Sequence, residues 1–148
     1  MIVRLEGILE RVEGGRVVVS PEGGAVAYEV LVARVVGEML MGREGERVVL
    51  HTLEYLEGVS QGSSFVPRMV GFVTEEQKQF FEVFTGAKGL GTRKALRAMA
   101  APVGVMARAI REGDVKMLQT LPEIGKRLAE TVVVDLKGKM DPFVGAEG

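Results

Sequence analysis

The chain has 148 residues, a net charge of −1 and an apolar fraction of 47%, which is enough for a packed core in one domain or two small ones. Cysteine is absent and His51 is the only histidine, which excludes disulfides and argues against metal clusters and serine–histidine triads. Because the chain shows no secretory signal and no apolar run of about 18 residues, we expect a soluble cytoplasmic protein without a membrane segment, metal or cofactor.

The first part of the chain is predicted to be β-structure. Short runs rich in Val, Ile and Leu alternate with Gly- and Pro-containing turn signals. Five strands are expected, at residues 2–12, 16–20, 25–33, 47–53 and 68–73. Residues 58–67 have loop composition and are interpreted as the tip of an extended hairpin. So many short strands in residues 1–73 favour a small closed barrel such as an OB-fold.

From Thr74 the apolar period becomes helical. Residues 74–77, TEEQ, form a capping-box pattern, and Phe80, Phe81 and Phe84 follow on one helical face as expected core. Further helices are predicted at residues 92–101, 103–112, 115–120 and 125–138, with Asp114 as a candidate N-cap. The fold class is therefore α+β, with a barrel domain at 1–73, an all-helical domain at 74–139 and a short tail at 140–148.

One pattern occurs twice in the helical part, 34 residues apart. Residues 88–98 read KGLGTRKALRA and residues 122–132 read PEIGKRLAETV. Each copy is a turn that opens into a helix with basic residues in its first turn, and helix N-termini attract anions. Residues 86–139 also carry 11 Lys/Arg against 5 Asp/Glu, although charge alone favours an ordinary solvated helical surface. Two such turns in tandem indicate a clamp on a phosphate backbone.

The candidate DNA-binding residues belong to these two turns. Glycines at 89 and 91 allow the backbone to approach a phosphate closely, and Gly91 is also expected to let the turn adopt a positive φ. The amides of Gly91, Thr92 and Arg93 are candidate donors. Basic and hydroxyl side chains supply charge and further hydrogen bonds. The first copy contributes Lys88, Gly89, Gly91, Thr92, Arg93 and Lys94, and the second contributes Gly125, Lys126 and Arg127.

The two copies are similar to the helix-hairpin-helix motif, which binds DNA phosphates without reading sequence. MIVRLEG at the start, Gly71-Phe72, FFEVFTGAKGLGTRKAL and LQTLPEIGKRLAETVVVDLKGK together resemble the RuvA family over residues 1 to about 139. The resemblance implies an OB-fold domain followed by a double helix-hairpin-helix domain. It also implies a homotetrameric plate that holds a four-way DNA junction open without catalysing a bond change itself. A third domain in the family contacts a hexameric motor ATPase.

Three departures from the family pattern bear on function. Glu123 stands where the family has glycine, and its charge is expected to repel DNA, which makes a purely structural second turn an equal alternative. The family also has an adjacent pair of carboxylates, an acidic pin, on a barrel hairpin. Here Glu54 and Glu57 are the candidates, with ordinary hairpin charge as the alternative. After Lys139 only nine residues remain, with Phe143 and Val144 as candidate anchors, so motor recruitment through a third domain is doubtful.

Two other functions stay open from the sequence. A stand-alone scaffold or interaction protein would keep the fold, bind DNA weakly and recruit no motor ATPase. A nuclease or glycosylase anchored by the hairpins is a remoter alternative, because no carboxylate cluster with metal-binding spacing accompanies them. The main hypothesis follows from the resemblance to the RuvA family. It is sequence-independent binding of four-way junctions in recombination and repair.

Overall fold

The computed structural model describes residues 1–22, 24–59, 62 and 64–146. The chain divides into two compact units. One comprises Met1–Val32 with Val36–Thr74, and the other comprises Ala33–Val35 with the described residues from Glu75 onward.

The first unit is a closed barrel of five strands with one helix. Its order around the barrel is β1-β2-β3-β5-β4, and β1 pairs with β4 to close it. Strands β3 and β5 are parallel, whereas the other neighbours are antiparallel. The elements are β1 (Arg4–Glu13), β2 (Arg16–Ser20), β3 (Tyr28–Val32), α1 (Arg34–Leu40), β4 (Arg47–Gly58) and β5 (Phe65–Phe72). A five-stranded closed barrel of this kind confirms the predicted OB-fold.

Alternation along β1 shows how the sequence forms the barrel. Leu5, Gly7 and Leu9 are buried, and the residues between them are exposed, as expected for a strand with one face toward the core. Gly7 is required by close packing, because a Cβ there would overlap the carbonyl oxygen of Ser20 on the neighbouring strand. Small size at this position therefore lets β1 and β2 approach each other.

Of the five predicted strands only β2 has the predicted bounds, and one helix was missed. Strand β3 begins at Tyr28 rather than at residue 25, because its register with β2 ends at the Val19–Tyr28 pair. Helix α1 follows, although its Val-Val-Gly sequence has low helix propensity. Burial of Val36 and Leu40, four residues apart on one face, outweighs that propensity.

The β4–β5 hairpin is more regular than its composition suggested. Strand β4 continues to Gly58 and β5 starts at Phe65, and these two residues pair directly. The predicted loop at 58–67 is therefore too long at both ends. Hydrogen bonds between the two strands stabilise extended backbone there, although the residues have loop composition. The predicted polar tip includes Ser64, which is exposed, whereas Ser60, Gln61 and Ser63 lie outside the described residues.

The second unit is helical. Its α-helices are α2 (Glu75–Phe84), α3 (Thr92–Ala98), α4 (Val103–Glu112), α5 (Val115–Leu118) and α6 (Lys126–Leu136), followed by 3-10 turns at Lys137–Lys139 and Asp141–Phe143. The predicted aromatic core is confirmed, because Phe80, Phe81 and Phe84 are at most 3% exposed. Helix α3 ends three residues earlier than predicted. Pro102, at the N-cap of α4, disfavours helical backbone in the residue before it.

The segment from residue 140 packs on this helical unit. Met140 and Phe143 are buried, and the Phe143 ring stands edge-on to Phe80 at a centroid distance of 5.5 Å. The Nη1 atom of Arg108 donates a hydrogen bond to the carbonyl oxygen of Val144 at 2.8 Å. The described part of the expected tail thus contributes to the core of the helical unit.

Candidate nucleic-acid interface

The sequence repeat is also a repeat of backbone conformation. We call residues 88–91 the first turn and residues 122–125 the second turn. In the first turn Gly89 has a left-handed φ of 86°, and 34 residues later Glu123 has a φ of 71°. Each turn is closed by a backbone hydrogen bond of the same kind, from Leu90 N to Ala87 O at 3.1 Å and from Ile124 N to Leu121 O at 3.4 Å.

The helices that follow the two turns also begin in the same way. Gly91 and Gly125 are the N-caps of α3 and α6, and both have extended backbone, with φ of −76° and −89°. The positive φ expected at Gly91 is therefore wrong, and the left-handed residue of the first turn is Gly89. The carbonyl oxygen of each glycine accepts the first helical hydrogen bond, from Ala95 and Ala129 respectively, at 2.9 Å. The two turns are therefore built on one plan.

Each turn has a buried apolar anchor between exposed residues. Leu90 and Ile124 are 2% and 5% exposed, so they fix the turns to the core. The predicted DNA-binding residues lie around these anchors, where they are solvent-accessible. Exposed are Lys88, Gly89, Gly91, Arg93, Gly125, Lys126 and Arg127, and half-buried are Thr92 and Lys94.

The starts of α3 and α6 differ from the start of α5. At α5 the carboxylate of Asp114 accepts a hydrogen bond from the Met117 amide at 3.0 Å, which confirms the predicted N-cap. Gly91 and Gly125 provide no such side-chain cap, and neither helix has an acidic residue in its first turn. Helix starts of this kind, without a side-chain cap or an acidic residue, are suited to bind an anion.

Two side chains that the sequence analysis did not single out contact the turns. Nη2 of Arg97, in the last turn of α3, lies 3.2 Å from Oε1 of Glu123 in the second turn. Oδ2 of Asp135, on α6, accepts a hydrogen bond from the Lys88 amide in the first turn at 2.9 Å. Each turn is thus tied to the helix that follows the other turn. The contacts join residues 26 and 47 positions apart, and no short motif in the sequence signals them.

The candidate pin carboxylates are both engaged within the barrel unit. Oε2 of Glu54 accepts a hydrogen bond from the Ile2 amide at 2.8 Å. Glu57 accepts one from Oη of Tyr55 at 2.8 Å and one from Nε of Arg68 at 3.1 Å, and its side chain is 19% exposed. These contacts favour the alternative of structural hairpin charge, and the pin itself stays a prediction.

No group of three or more His, Asp or Glu side chains in the described part of the chain is placed to hold a metal ion. Among the helices of that same part, none combines the length and apolar character that crossing a bilayer requires.

The closed barrel and the paired turns define a protein of the OB-fold plus tandem helix-hairpin-helix class. In agreement, a family model described as a SAM-like helix-hairpin-helix tandem matches residues 81–138. This match spans both turns and the helices from α3 to α6, together with the end of α2.

Curated relatives cover nearly the whole chain. It is 41% identical over 143 residues to the Holliday junction branch migration complex subunit RuvA of Rhodopirellula baltica, covering 97% of this chain and 68% of the relative. Proteins of the same name from Desulfosudis oleivorans and Desulfatibacillum aliphaticivorans are 35% and 33% identical, covering 99% and 100% of this chain and 69% and 70% of theirs. The chain belongs to the RuvA family.

Proposed function

We propose that this chain binds four-way (Holliday) DNA junctions through their sugar–phosphate backbones and serves in recombination and repair as the DNA-binding subunit of a larger complex. The observation that carries the proposal is the pair of matching turns, each exposed, glycine-containing and open at a helix start. The relatives that match nearly the whole chain are named as Holliday junction branch migration complex subunits, which supports the same substrate for this chain.

The chemistry of the turns fits phosphates better than bases. Backbone amides and Lys or Arg side chains are the groups that typically bind phosphate oxygens, and such contacts fix position without reading sequence. Residues 86–139 carry a net charge of +6, although the whole chain carries −1. Since salt screens charges beyond about 8 Å at physiological ionic strength, DNA at the turns responds mainly to this local excess.

Three further features are proposed on the strength of family membership. The chain assembles as a homotetramer, acts in the cytoplasm, and catalyses no bond change itself. The domain division at residues 73 and 74 is retained as part of this proposal. The nine proposed DNA-binding positions are Lys88, Gly89, Gly91, Thr92, Arg93, Lys94, Gly125, Lys126 and Arg127.

Junction binding is tested by fluorescence anisotropy with an immobile four-way junction and a linear duplex of the same arm sequence. Both titrations are run between about 50 and 200 mM salt, with the mass of the protein measured in the same buffers. We expect tighter binding to the junction, equal affinity for junctions of different sequence, and a slope of log K on log salt of about 0.9 for each phosphate held.

Matched charge variants locate the contact. Lys126→Gln, at the second turn, should weaken junction binding and lower the salt slope by about 0.9. Arg111→Gln removes the same charge from α4, where Arg111 pairs with Asp141 at 3.5 Å, and should change binding less. Equal, weak binding to junction and duplex would reject the proposal. Oligomers without salt-dependent DNA affinity would instead support the scaffold alternative.

A further inference from the structure

The second turn contains a carboxylate where a phosphate-binding turn should be neutral or positive. Glu123 lies two residues before the N-cap Gly125 and three before Lys126, and its backbone is left-handed. The first turn has glycine at the matching position, with the same handedness. A non-glycine residue in this region persists only where its surroundings compensate.

Arg97 compensates for the charge of the Glu123 side chain. Its guanidinium Nη2 lies 3.2 Å from the Glu123 Oε1, close enough for a charge-assisted hydrogen bond. The carboxylate is thereby held by a cation from the neighbouring helix α3 and contributes little net charge to the turn. The pair is partly exposed, with side-chain exposures of 56% for Arg97 and 37% for Glu123, so it stays accessible to a bound polyanion.

We propose that Arg97 is a positioning residue for the second turn, which neutralises Glu123 and so allows this turn to hold a DNA phosphate. The inference rests on the proposed function and deepens it. Arg97 acts through Glu123 rather than as a phosphate ligand of its own. In the second turn the negative charge of Glu123 is then balanced within the protein. In the first turn the matching residue is glycine, so no charge needs to be balanced.

The same contact links the two turns mechanically. Arg97 belongs to α3, which follows the first turn, and Glu123 belongs to the second. In the opposite direction, Asp135 on α6 holds the Lys88 amide of the first turn at 2.9 Å. The two ties connect each turn to the other half of the tandem.

A double-mutant cycle on the full chain tests the assignment. Wild type, Arg97→Gln, Glu123→Gln and the double variant are titrated with the labelled four-way junction across the salt series, and thermal unfolding of each is recorded. An uncompensated unit charge about 4 Å from a phosphate in a water-like dielectric changes affinity about fivefold. We therefore expect Arg97→Gln to weaken binding about fivefold and Glu123→Gln to strengthen it. The double variant should bind within about twofold of Glu123→Gln, because Arg97 then has no charge left to neutralise.

The double variant separates a positioning role from the alternatives. A merely structural arginine would not be rescued by removal of the partner charge. A direct phosphate ligand would make Arg97→Gln weaken binding by the same factor with Glu123 and with Gln at position 123, with a salt slope lower by about 0.9. Either result overturns the proposal, as does an Arg97→Gln variant that binds like wild type. Arg111→Gln, which also leaves an exposed carboxylate without its arginine, is the matched control and should stay close to wild type.

The design also distinguishes this inference from the proposed function. If the wild type fails to prefer the junction over the duplex at every salt concentration, the proposed function fails and the inference falls with it. If the wild type binds the junction as expected but the cycle shows no rescue, the inference alone is overturned.

Discussion

Replacing Glu123 by glycine removes a carboxylate from the second turn and gives it the residue that the first turn already has. The effect on stability can be worked out from three terms. Relief of a left-handed non-glycine residue, at φ of 71°, contributes roughly 1–2 kcal/mol. Loss of the exposed pair with Arg97 costs about 0.2–1 kcal/mol. The extra freedom of glycine in the unfolded chain costs about 0.4–1 kcal/mol.

These terms nearly cancel, so Glu123→Gly should change the free energy of unfolding by less than about 1.5 kcal/mol. Junction affinity is expected to rise, because the turn loses a negative charge. At about 4 Å and a water-like dielectric, one unit charge is worth about 1 kcal/mol, or about fivefold in affinity. Glu123→Gly is thus expected to bind the junction more tightly while its free energy of unfolding changes little.

The assay combines urea unfolding with junction titration at one fixed salt concentration. The reciprocal variant Gly89→Glu is the informative comparison, since it places a carboxylate in the first turn, where the Asp135 carboxylate already lies. It should lose about 1–2 kcal/mol of stability to the left-handed backbone and bind the junction more weakly. Glu123→Asn tests charge alone, because asparagine tolerates this conformation and is neutral.

The reasoning would be refuted by either of two results. A large loss of stability in Glu123→Gly would mean that the Arg97 contact outweighs the backbone strain. Unchanged junction affinity in both Glu123→Gly and Glu123→Asn would mean that the second turn does not approach DNA. In the second case Gly89→Glu would still report on the first turn.

Asp135→Asn keeps an acceptor for the Lys88 amide but removes a charge, so junction titration should show tighter binding at unchanged urea stability; weaker binding would contradict it. Gly7→Ala should destabilise the barrel by about 1–3 kcal/mol in urea unfolding, because its Cβ would overlap backbone, whereas Gly15→Ala, with open space around it, should be near neutral. Phe143→Ala should cost about 3–5 kcal/mol of stability by the same measurement, since its ring is buried against the helical unit. A cost below about 1 kcal/mol would contradict that packing.

The parts of the site that sequence reasoning located depend on local backbone needs. Gly91 and Gly125 lie at helix starts, as the repeated pattern predicted. The expected positive φ belongs to Gly89 rather than to Gly91, because either glycine permits it and the fold of the turn selects between them. Glu123 carries no such signal. Its left-handed conformation follows from the fold of the tandem, and only alignment with Gly89 across the 34-residue repeat hints at it.

The remaining features depend on contacts between distant residues. Helix α1 forms from a sequence with low helix propensity because Val36 and Leu40 are buried. The burial of Phe143 in the helical unit, and the ties made by Arg97 and Asp135, likewise join segments far apart in the chain. Periodicity and short motifs depend on residues that are close in sequence. They therefore predict helices and strands well, and contacts between distant segments poorly.

The two turns solve one electrostatic problem in different ways. A phosphate needs a site without excess negative charge, and glycine meets that need in the first turn by adding nothing. In the second turn a carboxylate is present but held by Arg97. The exposed Arg97–Glu123 pair is stabilised by only about 0.2–1 kcal/mol. The second turn is therefore more sensitive to salt than the first turn, where glycine carries no charge. Rising salt weakens the neutralisation of Glu123 together with the attraction for phosphate, so the second turn should release DNA before the first.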